Sequence, residues 1–85
     1  QTLVDALLNE RARVVDGLRS TGADFPDPQG NFVWLPIGAR TDSVAHALEQ
    51  RGVVVRPFSG EGIRVTIGTP EENDRFLAAY AEVIA

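Results

Sequence analysis

Two arginines stand where a strand can least easily hide a charge. In "GIRVTIG", Ile63, Val65 and Ile67 alternate along a short apolar run with Arg64 among them, and in "VVVRPF" Arg56 follows three valines. A guanidinium is permanently charged and presents a planar fork of donors, so the chemistry it suits is the grip of a carboxylate or a phosphate. Side chains alternate across a strand. With Ile63, Val65 and Ile67 turned to the core, Arg64 and Thr66 face the opposite side. A three-residue connection of Ser59, Gly60 and Glu61 makes the two strands an antiparallel hairpin and sets Arg56 opposite Arg64, with Val53 and Val55 inward and Val54 outward. Like charges directly across a ladder are unfavourable, so the pair is expected where an anion lies between or near them. The structural alternative is that Arg64 pairs with a surface or interdomain carboxylate and has no ligand, with Glu61, Glu71 and Asp74 as candidates.

No other cluster carries chemistry. There is no cysteine and one histidine, so disulfides, thiolate metal sites and structural zinc are excluded. His46 lies off the apolar stripe of its helix and reads as a solvated residue. "SGEG" lacks the strand-loop-helix setting of a phosphate cradle and reads as a hairpin turn. Glu71 and Glu72 are explained by a helix N-terminus, where negative charge is favourable, and Trp34 reads as a packing residue rather than a ligand platform. No nucleophile, base and acid set is visible. All eight basic residues are arginine, so Schiff-base chemistry cannot originate in this chain.

The elements that must position the arginines follow from periodicity and punctuation. "TLVDALLNERARVVDGLRSTG" has Leu3, Val4, Leu7, Leu8, Val14, Val15 and Leu18 at helical spacing and Gly22 as a stop, but no convincing cap at its start, so the helix is expected to extend upstream. "FPDPQG" is an irregular connector. "NFVWLPI" is a strand whose Asn31, Val33 and Leu35 point one way and Phe32 and Trp34 the other, so both faces are apolar and both want cover. "RTDSVAHALEQRG" is a short crossover helix with Thr41 or Asp42 as N-cap, Val44, Ala45 and Leu48 as its stripe and Gly52 as its stop. The hairpin follows. The last helix opens with Thr69, Pro70 and Glu72 as a capping box and buries Phe76, Leu77, Tyr80, Val83 and Ile84.

The predicted order is α-β-α-β-β-α over a single domain, residues 1–85: an α+β two-layer sandwich with a small mixed or antiparallel sheet and helices packed on one face. At 85 residues the sequence is expected to form one domain. The net charge of −4 with scattered arginines argues against nucleic acid or an anionic membrane as partner. The apolar runs are far shorter than the roughly 20 residues needed to span a bilayer, and no signal sequence is recognisable, so a cytoplasmic location is expected.

"GNFVWLPIGART" and "GVVVRPFSGEGIRVTIGTPEENDRFLAA" resemble the C-terminal small domain of fold-type-I pyridoxal-phosphate aminotransferases, in the branch of histidinol-phosphate and aromatic amino acid aminotransferases. The resemblance covers essentially the whole chain and is most specific over residues 53 to 76; "NFVWLP" leans toward the aromatic, or phenylalanine, enzymes. It implies that Arg64 grips the substrate α-carboxylate, or the phosphate of histidinol phosphate, and that Arg56 lies near the same anion. Asn31 has a backbone-positioning role by the same likeness. Pyridoxal 5'-phosphate and the lysine that anchors it would belong to a large domain absent here, with which this domain closes over amino acid and 2-oxo acid substrates in a homodimeric parent. The chain would then be a fragment that does not transaminate alone. Two other readings stay open. A free-standing ferredoxin-like regulatory module would need a fourth strand after the last helix, and a purely structural domain would pair both arginines with its own carboxylates.

Overall fold

The computed structural model describes residues 2–28 and 30–85. Its elements run α1 (Leu3–Ser20), β1 (Phe32–Leu35), a 3-10 turn (Gly38–Arg40), α2 (Thr41–Gln50), β2 (Arg56–Phe58), β3 (Gly62–Thr66) and α3 (Pro70–Ile84). The three strands are ordered β1-β3-β2, and both pairings are antiparallel. The fold is the expected α+β arrangement of three helices and one small sheet. No helix among the described residues is long and apolar enough to cross a membrane.

Each helix end has an identifiable cause. Thr2 caps α1, its hydroxyl accepting the Asp5 N–H at 3.1 Å. The expectation of an uncapped start is thereby corrected: a threonine oxygen satisfies one of the orphan first-turn donors. At the other end Gly22, at φ +90°, donates its N–H to the Arg19 carbonyl, a conformation that costs glycine least. The expected cap of α2 is also corrected. Thr41 is the first helical residue, follows the 3-10 turn, and buries its side chain completely by donating to the Gly38 carbonyl at 2.7 Å. Asp42 instead accepts from the Ser59 hydroxyl at 2.7 Å, which ties the α2 start to the β2–β3 turn. α3 carries the full capping box: Thr69 accepts from the Glu72 N–H, and Glu72 accepts from the Thr69 N–H at 2.9 Å. That backbone hydrogen bond holds the Glu72 carboxyl below its usual range.

The core lies between the helices and one face of the sheet. Val33 and Leu35 of β1, Ile63 and Val65 of β3, Leu18 of α1, Leu48 of α2 and Phe76 of α3 form one buried cluster. Completely burying a side chain of this size contributes about 1.5–3 kcal/mol. The first turns of α1 contribute nothing to it. Leu3 and Val4 are 77% and 64% exposed, and burial on this helix begins only at Val14. Helical periodicity marks which residues share a side, but cover depends on what lies across from each turn.

A polar cluster locks the helix layer to the end of β3. Asn73 is 3% exposed, accepts the Gly68 N–H at 2.9 Å, and donates to the Gly68 carbonyl and to Glu10. Glu10 also accepts from Arg13, which reaches Asp74 at 2.5 Å and the Pro70 carbonyl at 3.2 Å. Hydrogen bonds from Arg13 and Asn73 hold the Glu10 carboxyl below its usual range, and Glu10 and Asp74 push the Arg13 guanidinium up.

Candidate functional site

Alternation carries the strand residues that miss the core onto the other face of the sheet, which no helix covers. Phe32 and Thr66 are Cα partners at one end of it. In the next row Trp34, Arg64 and Arg56 lie side by side, because Arg64 pairs with Trp34 on one side and with Arg56 on the other. The last row is Phe58 beside Gly62. The face therefore holds three aromatic rings and two guanidinium groups.

The register anticipated from the hairpin is the one observed. Arg56 faces Arg64, the connection comprises residues 59 to 61, and Gly60 at φ +78° provides the left-handed turn residue. Val54 is 86% exposed and Val53 is buried, as the alternation required. The strand itself is shorter than "VVVRPF" predicts. It begins only at Arg56, and residues 53 to 55 run beside β3 without joining the ladder, leaving a cleft of about 320 Å³ lined by Val54, Thr66, Glu72 and Arg75.

Neither arginine is neutralised by a carboxylate among the described residues. The three candidate partners of Arg64 do not pair with it, and Asp74 belongs to Arg13. Arg64 is half-buried, its guanidinium carbon 4.5 Å from the centre of the Phe32 ring. Its Nε is shut off from solvent with no hydrogen-bond partner. Its terminal nitrogens also make no hydrogen bond among the described residues, yet they are not shut off, so they remain available. Arg56 is exposed and lies over Phe58, 5.7 Å from that ring. Two forks of donors, unneutralised and adjacent on one face, can receive a carboxylate, a phosphate or two separate anionic groups.

Trp34 completes this surface. Its ring lies against Gly62, where a Cβ would come within 2.8 Å of the indole and collide with the Leu35 carbonyl oxygen, and it meets Phe58 edge to face at 5.7 Å. The packing role read from the sequence is observed, on the open face rather than in the core. The Asn31 carbonyl accepts the Ile67 N–H at 2.8 Å, extending the β1–β3 pairing by one bond. His46 is exposed on α2. No group of three or more metal-ligating side chains occurs among the described residues.

Sequence reasoning missed two features. Phe32 as the seat of Arg64 depends on β1 lying next to β3, which no local pattern reveals. Asn73 was passed over as a helix residue, although an asparagine at the fourth position of a capped helix is well placed to reach back to the preceding strand.

Residues 1–79 match the family model for aminotransferase class I and II. The chain is 57% identical over 79 residues to an aromatic amino acid aminotransferase of Streptomyces coelicolor, covering 93% of this chain and 22% of that protein. It is 48% identical over 81 residues to one of Mycobacterium avium, covering 95% of this chain and 23% of that protein. The chain thus spans between a fifth and a quarter of the length of these curated relatives. Among solved structures, a candidate aminotransferase from Burkholderia pseudomallei superposes with a TM-score of 0.83 at 34% identity, over 93% of this chain and 26% of that one. A Thermus thermophilus aspartate aminotransferase mutant, complexed with tryptophan, shares the fold with a TM-score of 0.72 over 93% of this chain and 23% of that one. The likeness to aminotransferases in fold replaces the ferredoxin-like alternative, and the absence of paired carboxylates among the described residues removes the support for a purely structural domain. The chain belongs to the aminotransferase class I and II family.

Proposed function

We propose that this chain is the substrate-anion-binding domain of a pyridoxal-phosphate-dependent aminotransferase acting on an aromatic amino acid, with a 2-oxo acid as acceptor. The observation that carries the reading is the pair Arg56 and Arg64, facing each other across β2 and β3 on an uncovered face with no carboxylate among the described residues to neutralise them. Arg64 receives the α-carboxylate through its accessible terminal nitrogens, and Arg56 adds positive potential beside it. The aromatic donor is favoured by the names of the curated relatives and by the rings of Phe32, Trp34 and Phe58 around the arginines. Side-by-side guanidiniums also suit a dianion, and this favours histidinol phosphate as the second reading.

Pyridoxal phosphate supplies the electron sink for amino transfer when bound. This chain has no lysine to anchor it, so the cofactor is held by the rest of the protein, a large domain that covers the open face. What these residues contribute is capture and orientation of the substrate anion, in a cleft that closes when the two domains meet. The isolated chain is inactive in this reading, and the parent is a homodimer.

Arg64→Ala in the full-length protein tests it. Losing a charged, forked contact is expected to lower kcat/KM for aromatic amino acids by about 2 kcal/mol or more, on the order of 30-fold. Unchanged kinetics in that variant would remove the assignment.

A further inference from the structure

Arg64 and Arg56 are direct neighbours along the backbone ladder, yet their guanidinium groups are drawn to different rings. Arg64 lies over Phe32, the diagonal neighbour across β1 and β3, and Arg56 lies over Phe58, two residues along its own strand. The face of an aromatic ring carries negative electrostatic potential, so each ring attracts the charge above it and the two like charges are led apart. The attachment of Arg64 is the closer, at 4.5 Å against 5.7 Å. It is also the only partner that the Arg64 head finds among the described residues, since Nε is enclosed without a hydrogen bond. An arginine on an open sheet face otherwise has the rotamer freedom of a long side chain to lose when it binds. Phe32 is itself 39% exposed, which is more than a ring serving only the core would leave in solvent.

We propose that Phe32 is a positioning residue for anion capture: its ring face holds the Arg64 guanidinium in place with the terminal nitrogens free. Part of the ordering cost of binding is then met before the ligand arrives, and the carboxylate meets a fork already clear of Arg56. This rests on the reading of Arg64 as the carboxylate arginine.

The test uses the full-length holoprotein and 3-phenylpropanoate, an aromatic carboxylate with no amino group to transfer, whose Kd is measured by calorimetry. Phe32 is replaced by phenylalanines bearing one, two and three ring fluorines, which keep the shape nearly constant while weakening the potential of the ring face. Phe32→Leu and Phe32→Tyr accompany them. The expected result is a stepwise weakening with fluorination, a loss of about 2- to 30-fold in Phe32→Leu, and affinity near that of the unsubstituted protein in Phe32→Tyr. KM for L-phenylalanine should follow Kd, with kcat little changed. A Kd that stays flat across the fluorinated series overturns the proposal, whether or not Phe32→Leu folds. Arg64→Ala separates the two levels: if it leaves Kd unchanged, the carboxylate assignment itself fails, and if it weakens binding while the fluorinated series stays flat, only the role of Phe32 fails.

Discussion

The two faces of the sheet are made by the same three strands and obey different rules. On the covered face Val33, Leu35, Ile63 and Val65 are all 5% exposed or less and belong to the apolar core cluster. On the open face the alternate residues of β1 and β3 bring together Phe32, Trp34 and Arg64, with Arg56 and Phe58 of β2 beside them. The first face is built for burial, and its charges are absent. Among the described residues the second leaves two arginines unneutralised and an Nε without a partner, which costs stability that a bound anion or a covering surface would return. A two-residue period lets one strand serve both ends, because a change on one face leaves the other nearly untouched.

Ile63→Ala is the largest expected break in that contrast. Removing a fully buried side chain is predicted to cost about 2–5 kcal/mol in urea unfolding of the 85-residue chain, whereas Arg64→Ala, one residue away on the same strand, should stay within roughly 0.5 kcal/mol. Comparable losses at both positions would mean that the open face is part of the stabilising core. Gly62→Ala comes next, since a methyl there meets the Trp34 ring and the Leu35 carbonyl. It should cost about 1–3 kcal/mol and shift the emission of Trp34, the single tryptophan, and an unchanged spectrum would show that the ring does not rest on Gly62.

Arg56→Gln sharpens the comparison from the other side. Relieving two like charges across the ladder should stabilise the chain by roughly 0.2–1 kcal/mol at low salt, with the gain vanishing near about 1 M salt, where screening extends only some 3 Å. A loss of stability at low salt would show that the attraction of Arg56 to the Phe58 ring outweighs its repulsion from Arg64. The smallest effect belongs to acid. Glu10, behind the covered face, has its carboxyl held below the ordinary 4.5 by Arg13 and Asn73, so its contribution is fully present above the unfolded-state value and fades as pH falls through the lowered one. Glu10→Gln should therefore flatten the acid limb of the stability profile.

Much of this architecture was legible in the residues. The capping box of α3, the glycine stops, the hairpin register and the face on which Arg64 lies all follow from rules that act over a few neighbouring positions. The errors share one cause. Thr41 has the chemistry of a helix cap and is instead a buried helical residue bonded to Gly38, and Leu3 and Val4 share the apolar spacing of α1 and are exposed, because burial is settled by what packs from elsewhere in the chain. Asn73 carried no periodic signal, and its three hydrogen bonds join α3 to the end of β3 and to α1.

By itself the sequence determined the elements, the parity of each strand, and hence that Arg56 and Arg64 share a face, since backbone geometry repeats every two residues in a strand whatever surrounds it. Only the tertiary structure decided that β1 lies beside β3, and with it that Phe32, more than a third of the chain away, comes to rest under the Arg64 guanidinium. Sheet order is a choice among non-local pairings that bury the same apolar face. Its outcome is fixed by how the helices cover that face, which no window of neighbouring residues contains.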